Sequence, residues 1–269
     1  MPPAEIARRA RAIRRHVIRM IAPMDHGYVA QGLGGADLFA TLLFAELRLD
    51  PSNPAWPDRD RFILSTAHNS AAFHAALAER GFIPPARLAD YCADGSPLEI
   101  NVSERLGPPV ETTCGSLGQG LSVGLGMALA ARRRGQEWRT YVLLGDGEMQ
   151  EGQVWEAAMA AGSFGLDNLC LVVDLNWMQV EGHADNVLRM DPVAAKWAAF
   201  GWEVQTIDGN DIPAILGAFD HARATRGKPS AIIATTLPGC GVSFFENVRR
   251  HTMTLTPGGA ERALAELEA

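Results

Sequence analysis

The chain has 269 residues, enough for one large α/β domain or two small ones. Apolar side chains make up 47% and charged ones 20%, the composition of a folded globular protein, which excludes a disordered chain. With 24 basic against 31 acidic side chains the net charge is −7, so the overall field repels nucleic acid and anionic membranes, and any phosphate must be held locally.

In chain order, Ile6, Ala10, Ile13, Val17 and Ile21 recur at helical spacing and predict a helix over 4–22. The basic cluster on it, Arg8, Arg9, Arg11, Arg14 and Arg15, reads as a solvated face. A second helix is predicted from about Ala36 to Leu47. The proline-rich turn PSNPAWPDRD leads to RFILST, a short buried strand, and then to a helix across Ala71 to Arg80. The glycine-rich stretch CGSLGQGLSVGLG opens another helix, which runs through ALAARRR to Gly135, a left-handed cap.

Strands and helices then alternate through TYVLLGDG, EGQVWEAAMAAGSF, NLCLVVDLN, WEVQTID, IPAILGAFDHARAT and SAIIATTL. That order predicts a three-layer α/β/α fold with a mainly parallel, doubly wound sheet. We expect a single domain over 1–269 with a mobile tail from about 256. Cys92, Cys114, Cys170 and Cys240 lack zinc-site spacing and read as reduced thiols. No apolar run reaches bilayer length and the opening residues hold no signal core, so a cytoplasmic protein is expected.

The segment richest in chemistry is Gly145-Asp146-Gly147-Glu148, placed where the strand YVLL ends. On its own it is better read as a tight turn after a strand. Asn176, which stands 29 residues beyond Gly147 and is bracketed by a helix and a strand, changes that reading. Ligands in doubly wound sheets sit outside the carboxyl ends of strands, and these two loops lie at two such ends. The Asp146 carboxylate, the Asn176 amide oxygen and the Met178 carbonyl form a hard-oxygen set that a diphosphate and water complete around magnesium. Gly145 and Gly147 let the backbone turn sharply and bring N–H groups toward phosphates.

A Gly-Asp-Gly with so placed an Asn is the thiamine-diphosphate motif, and GDGEMQEGQVWEAAMAA and VDLNWMQVEG closely resemble the N-terminal half of transketolase. The resemblance continues through PDRDRFILSTAH, GSLGQGLSVGLGMALAAR, KWAAFGWEV and GVSFFEN, nearly the whole chain. It implies the thiamine-diphosphate-binding fold, in its diphosphate-binding (PP) form, and a bound thiamine diphosphate with Mg²⁺ or another divalent cation such as Ca²⁺ or Mn²⁺. Position by position, it makes Asp146, Asn176 and Met178 metal ligands. His68, His251, Gly145, Gly147 and Glu148 become cofactor contacts, with the two histidines also serving the donor site. Gly115, Leu117 and the following GQG lie beside the thiazolium ring. Glu151 matches an acidic residue in a hydrogen-bond network between the two active sites of a dimer. Without the resemblance, His68 reads as a helix-start residue. The glycine run at 115–126 follows too poor a strand to be a Rossmann fingerprint.

Two positions depart from the family. Where transketolases place a histidine in the first loop, aligning on Gly34 to Asp37 puts Tyr28, while His26 lies two residues earlier and substitutes only if the loop shifts. A second donor-site histidine is replaced by Asn101. Tyr and Asn offer different donor and acceptor geometry, so the expected donor is a ketose other than the usual pentose-pathway phosphates.

The resemblance also implies a pyrimidine-binding domain with a catalytic glutamate, and no stretch here resembles it. A separate C-terminal transketolase subunit is therefore expected, in an α2β2 heterotetramer acting on sugars or sugar phosphates. Two other readings stay open: a deoxyxylulose-phosphate-synthase-like or pyruvate-using acyl transferase subunit, and a non-catalytic cofactor-binding subunit.

Overall fold

The computed structural model describes residues 1–24, 26–248 and 250–268. Its elements in chain order are α1 (Pro3–Ile21), α2 (Val29–Gly34), α3 (Ala36–Thr41), β1 (Arg61–Leu64), α4 (Ser70–Arg80) and α5 (Gln119–Arg133). Next come β2 (Thr140–Gly145), α6 (Gly152–Phe164), β3 (Leu169–Leu175) and the short hairpin β4 (Met178–Gln179) and β5 (Gly182–His183). The chain closes with α7 (Ala184–Val187), α8 (Val193–Ala199), β6 (Glu203–Asp208), α9 (Ile212–Ala224), β7 (Ser230–Thr235) and α10 (Pro257–Glu268).

Five strands form one sheet in the order β1-β2-β3-β7-β6, every neighbouring pair parallel. Successive side chains of a strand point to opposite faces, so each strand feeds two cores. Phe62, Leu64, Tyr141, Leu143, Cys170, Val172, Ile232 and Ala234 face α1, α3, α4 and α9. The interleaved Ile63, Val142, Leu144, Leu171, Val173, Ala231 and Ile233 face α5, α6 and α8. This is the predicted three-layer α/β/α arrangement, with the parallel register Gly145↔Asp174 carrying β2 and β3 to neighbouring ends.

Three local expectations need correction. The segment from about 256 is no loose tail: Ala260, Ala263 and Leu267 recur on one face of α10, are buried, and join the core under α1. Arg14 does not belong to the solvated face, since it is 5% exposed and pairs with buried Asp37 at 2.5 Å. The helix expected from Ala36 to Leu47 follows a separate short helix, α2, and its end widens into a π-turn over Leu42–Glu46. No helix among the described residues is long and apolar enough to cross a membrane.

Candidate functional site

β2 and β3 are adjacent parallel strands, about 4.8 Å apart in the hydrogen-bonding direction. Their carboxyl ends therefore deliver the turn after Gly145 and the turn after Leu175 to the same edge of the sheet. A cleft of about 200 Å³ opens there. Its walls include His68, Leu117, Gly145, Asp146, Gly147, Glu148, Glu151, Asn176, Met178 and His251, so ten of the candidate residues converge.

Asp146 starts the turn, and its Oδ1 accepts the Gly147 N–H at 2.7 Å. Its Oδ2 is buried with no hydrogen-bond partner among the described residues. Burial, with the Asp174 charge alongside, pushes its carboxyl up to about 7, against the pull of the Gly147 and Trp177 N–H groups. Asn176 accepts the Met178 N–H on Oδ1 at 2.9 Å, which folds the loop back over the strand end. Gly147 is glycine for want of room: a Cβ there would stand 2.7 Å from Gln179 Cβ. A buried carboxylate oxygen without a donor, beside an amide oxygen and a backbone that approaches without a side chain, fits a hard divalent cation carrying a phosphate group.

The second wall is aromatic. His68 and His251 stand edge to face with ring centroids 4.5 Å apart, and Tyr28 meets both, at 4.9 and 5.2 Å. His68 Nδ1 bonds Thr66 Oγ1 at 2.9 Å, and Gln31 holds the His251 carbonyl at 2.9 Å. Burial and then the neighbouring His251 lower the His68 imidazole to about 4, and burial lowers His251 as well. Both rings are uncharged at neutral pH, and His251 Nε2 is buried without a partner among the described residues.

Some candidates fall elsewhere. His26 is exposed and does not line the cleft, because the chain at Gly27 is held by a bridge to Met253. Asn101 is exposed and does not line the cleft; it packs on Gly115, where a Cβ would come within 2.6 Å of Asn101 Cγ. Gly115 itself, at φ 135, is not a lining residue. Glu151 is exposed at the rim, not buried, in the chain on its own. Sequence reading missed Asp174, which is 1% exposed, faces Asp146 and is held by Asn69 Nδ2 at 2.8 Å and by the Thr236 hydroxyl. An acid inside the apolar run NLCLVVDLN was the signal for it. Gln31 and Thr66 also line the cleft and carry no sequence signal that marks them.

A parallel α/β sheet with a glycine-lined, acid-bearing cleft at its strand ends defines a class of cofactor-binding domains. The family described as transketolase, thiamine diphosphate binding domain, matches residues 6–262. The chain belongs to that family. It is 45% identical to a transketolase family protein of Sinorhizobium fredii, over 97% of this chain and 94% of that one. It is 39% identical to the 6-deoxy-6-sulfo-D-fructose transketolase subunit of a Clostridium species (98% and 96% covered), and 37% identical to one of the apulose-4-phosphate transketolase subunits of Actinobacillus succinogenes (97% and 94%). The solved transketolase of Campylobacter jejuni superposes with a TM-score of 0.91 at 28% identity, over all of this chain and 43% of that one. The chain thus spans less than half the length of that solved relative.

Proposed function

We propose that this chain is the diphosphate-binding subunit of a two-chain, thiamine-diphosphate- and magnesium-dependent transketolase, moving a two-carbon ketol unit from a ketose to an aldehyde. The observation that carries the reading is the Asp146 Oδ2, buried, unpartnered and facing a cleft shared with Asn176. Asp146, Asn176 and the Met178 carbonyl would hold the cation, Mg²⁺ or a substitute such as Ca²⁺ or Mn²⁺. Gly145 and Gly147 give the diphosphate close access to backbone. Bound thiamine diphosphate supplies an electron sink for cleaving the bond beside the donor carbonyl.

The chain's own side chains bind and orient. His68 and His251, uncharged at neutral pH, each offer one ring N–H donor and one ring nitrogen acceptor to the hydroxyl and carbonyl oxygens of a donor. Tyr28, in edge contact with both rings, offers a hydroxyl where the resemblance to transketolase implies an imidazole. That exchange favours a ketose outside the usual pentose-pathway phosphates. The names of two relatives, which specify 6-deoxy-6-sulfo-D-fructose and apulose-4-phosphate, support that class of sugar.

A second chain supplies the pyrimidine-binding half and its glutamate, in an α2β2 assembly within the cytoplasm. Relatives named as transketolase subunits match this chain nearly end to end, which supports the division. The exposed rim residue Glu151 then faces the partner and joins the link between active sites. The test is reconstitution. Mixed with its partner, thiamine diphosphate and Mg²⁺, the chain should release an aldose from a ketose donor, at least about 100-fold faster than either chain alone. Turnover of pyruvate but of no ketose, or full turnover by this chain alone, contradicts the reading.

A further inference from the structure

Glu148 follows the Gly-Asp-Gly turn, and its place in the motif suggests a carboxylate aimed at the ligand. Its hydrogen bonds go to the protein instead. The side chain is 2% exposed. Oε1 accepts the Ser65 hydroxyl and the Gly118 N–H, the latter at 2.8 Å, and Oε2 accepts the Gly145 N–H at 3.0 Å. These donors come from three separate segments: the residue just past β1, the turn in front of α5, and the last residue of β2.

The knot is tight on every side. Ser65 Oγ also accepts the Gly120 N–H at 3.1 Å, and a Cβ at Gly120 would sit 2.4 Å from that oxygen. Gly118 holds φ 84, and a Cβ there would come within 2.8 Å of Glu151 Cβ. The residue before Gly118, Leu117, lines one side of the cleft, and the residue after Gly145, Asp146, lines another. One buried carboxylate therefore joins the two glycine turns that carry cleft residues.

We propose that Glu148 is a positioning residue for the cofactor: it fixes the Leu117–Gly118 turn against the Gly145–Gly147 turn, setting the cleft between them, with both carboxylate oxygens taken up by protein donors. The proposal rests on the thiamine-diphosphate reading above. A carboxylate offers acceptors only, so it meets three donors at once; an amide must turn an NH₂ toward one of them, whichever way it is flipped.

Calorimetric titration of thiamine diphosphate with Mg²⁺ into the full chain, together with its partner, tests it, accompanied by thermal melting with and without cofactor. Glu148→Gln should raise Kd about 10- to 100-fold, the effect of losing a charge-assisted hydrogen bond. The rise in melting temperature on saturation with cofactor should shrink in parallel. Ser65→Ala, which removes one end of the knot, should raise Kd about 3- to 10-fold, and it decides the matter if Glu148→Gln does not fold. A structural role alone would lower both melting temperatures equally and leave Kd within about twofold of wild type in both variants, and that result overturns the proposal. If the wild-type complex fails to bind cofactor, the functional reading falls and this inference falls with it.

Discussion

Asp146 and Asp174 lie buried beside each other at the ends of β2 and β3, an arrangement that costs stability unless something positive shares it. Asp174 is compensated by Asn69 and Thr236, while Asp146 keeps a bare oxygen. That asymmetry is what the proposed cation site at Asp146 rests on. The motif and the resemblance pointed to Asp146, Asn176 and His68, and the fold brings all three to one cleft. The roles of Asp174 and Glu148 were hidden, because each depends on partners tens of residues away that only the fold brings near. His74 is a buried group of another kind: its Nε2 bonds the Glu99 carbonyl at 3.0 Å, its Nδ1 has no partner among the described residues, and burial lowers it to about 4. A folded value below the unfolded one means that its contribution to stability is whole above about 6.5 and is lost as the pH falls toward about 4. Between pH 7 and pH 4 the wild type should therefore lose up to about 3 kcal/mol more unfolding free energy than His74→Gln, read by denaturant titration. Equal losses would refute this.

At the scale of elements, the alternation of apolar strands with amphipathic helices was enough to give the parallel sheet. The shorter pieces escaped because they are too brief for a period to declare itself: α2, the β4–β5 hairpin and the seven-residue α8. The helix α8 is held by what it touches, with fully buried Trp197 packed on Trp155 and Trp202. Its far end presses on α6 at Gly162, where a Cβ would lie 1.8 Å from the Phe200 carbonyl oxygen. Backbone cannot yield as a flexible side chain does. Gly162→Ala should thus cost about 2–3 kcal/mol and lower the melting temperature by roughly 5–10 °C. An unchanged melting temperature would mean that the two helices do not meet there. The helix α10 shows the reverse lesson: Ala260, Ala263 and Leu267 already carried helical spacing in the sequence, but the partner surface on α1 was not evident.

For the whole molecule, the sheet does one thing the function needs: it ends two neighbouring strands together, so a turn and a loop separated by a helix and a strand share a cleft. Glu151 and the 65%-exposed Val180 stand on its walls open to solvent. The net charge of −7 gives no long-range attraction for an anionic cofactor, so its capture has to be local. A crystal structure of the complex grown with thiamine diphosphate and Mn²⁺ tests the account most directly. Anomalous density should show one ion within about 2.0–2.3 Å of oxygens from Asp146, Asn176 and Met178, and the peak should vanish in Asp146→Asn. An ion bound elsewhere, or a cofactor seated with its diphosphate away from Asp146 and Asn176, would contradict it.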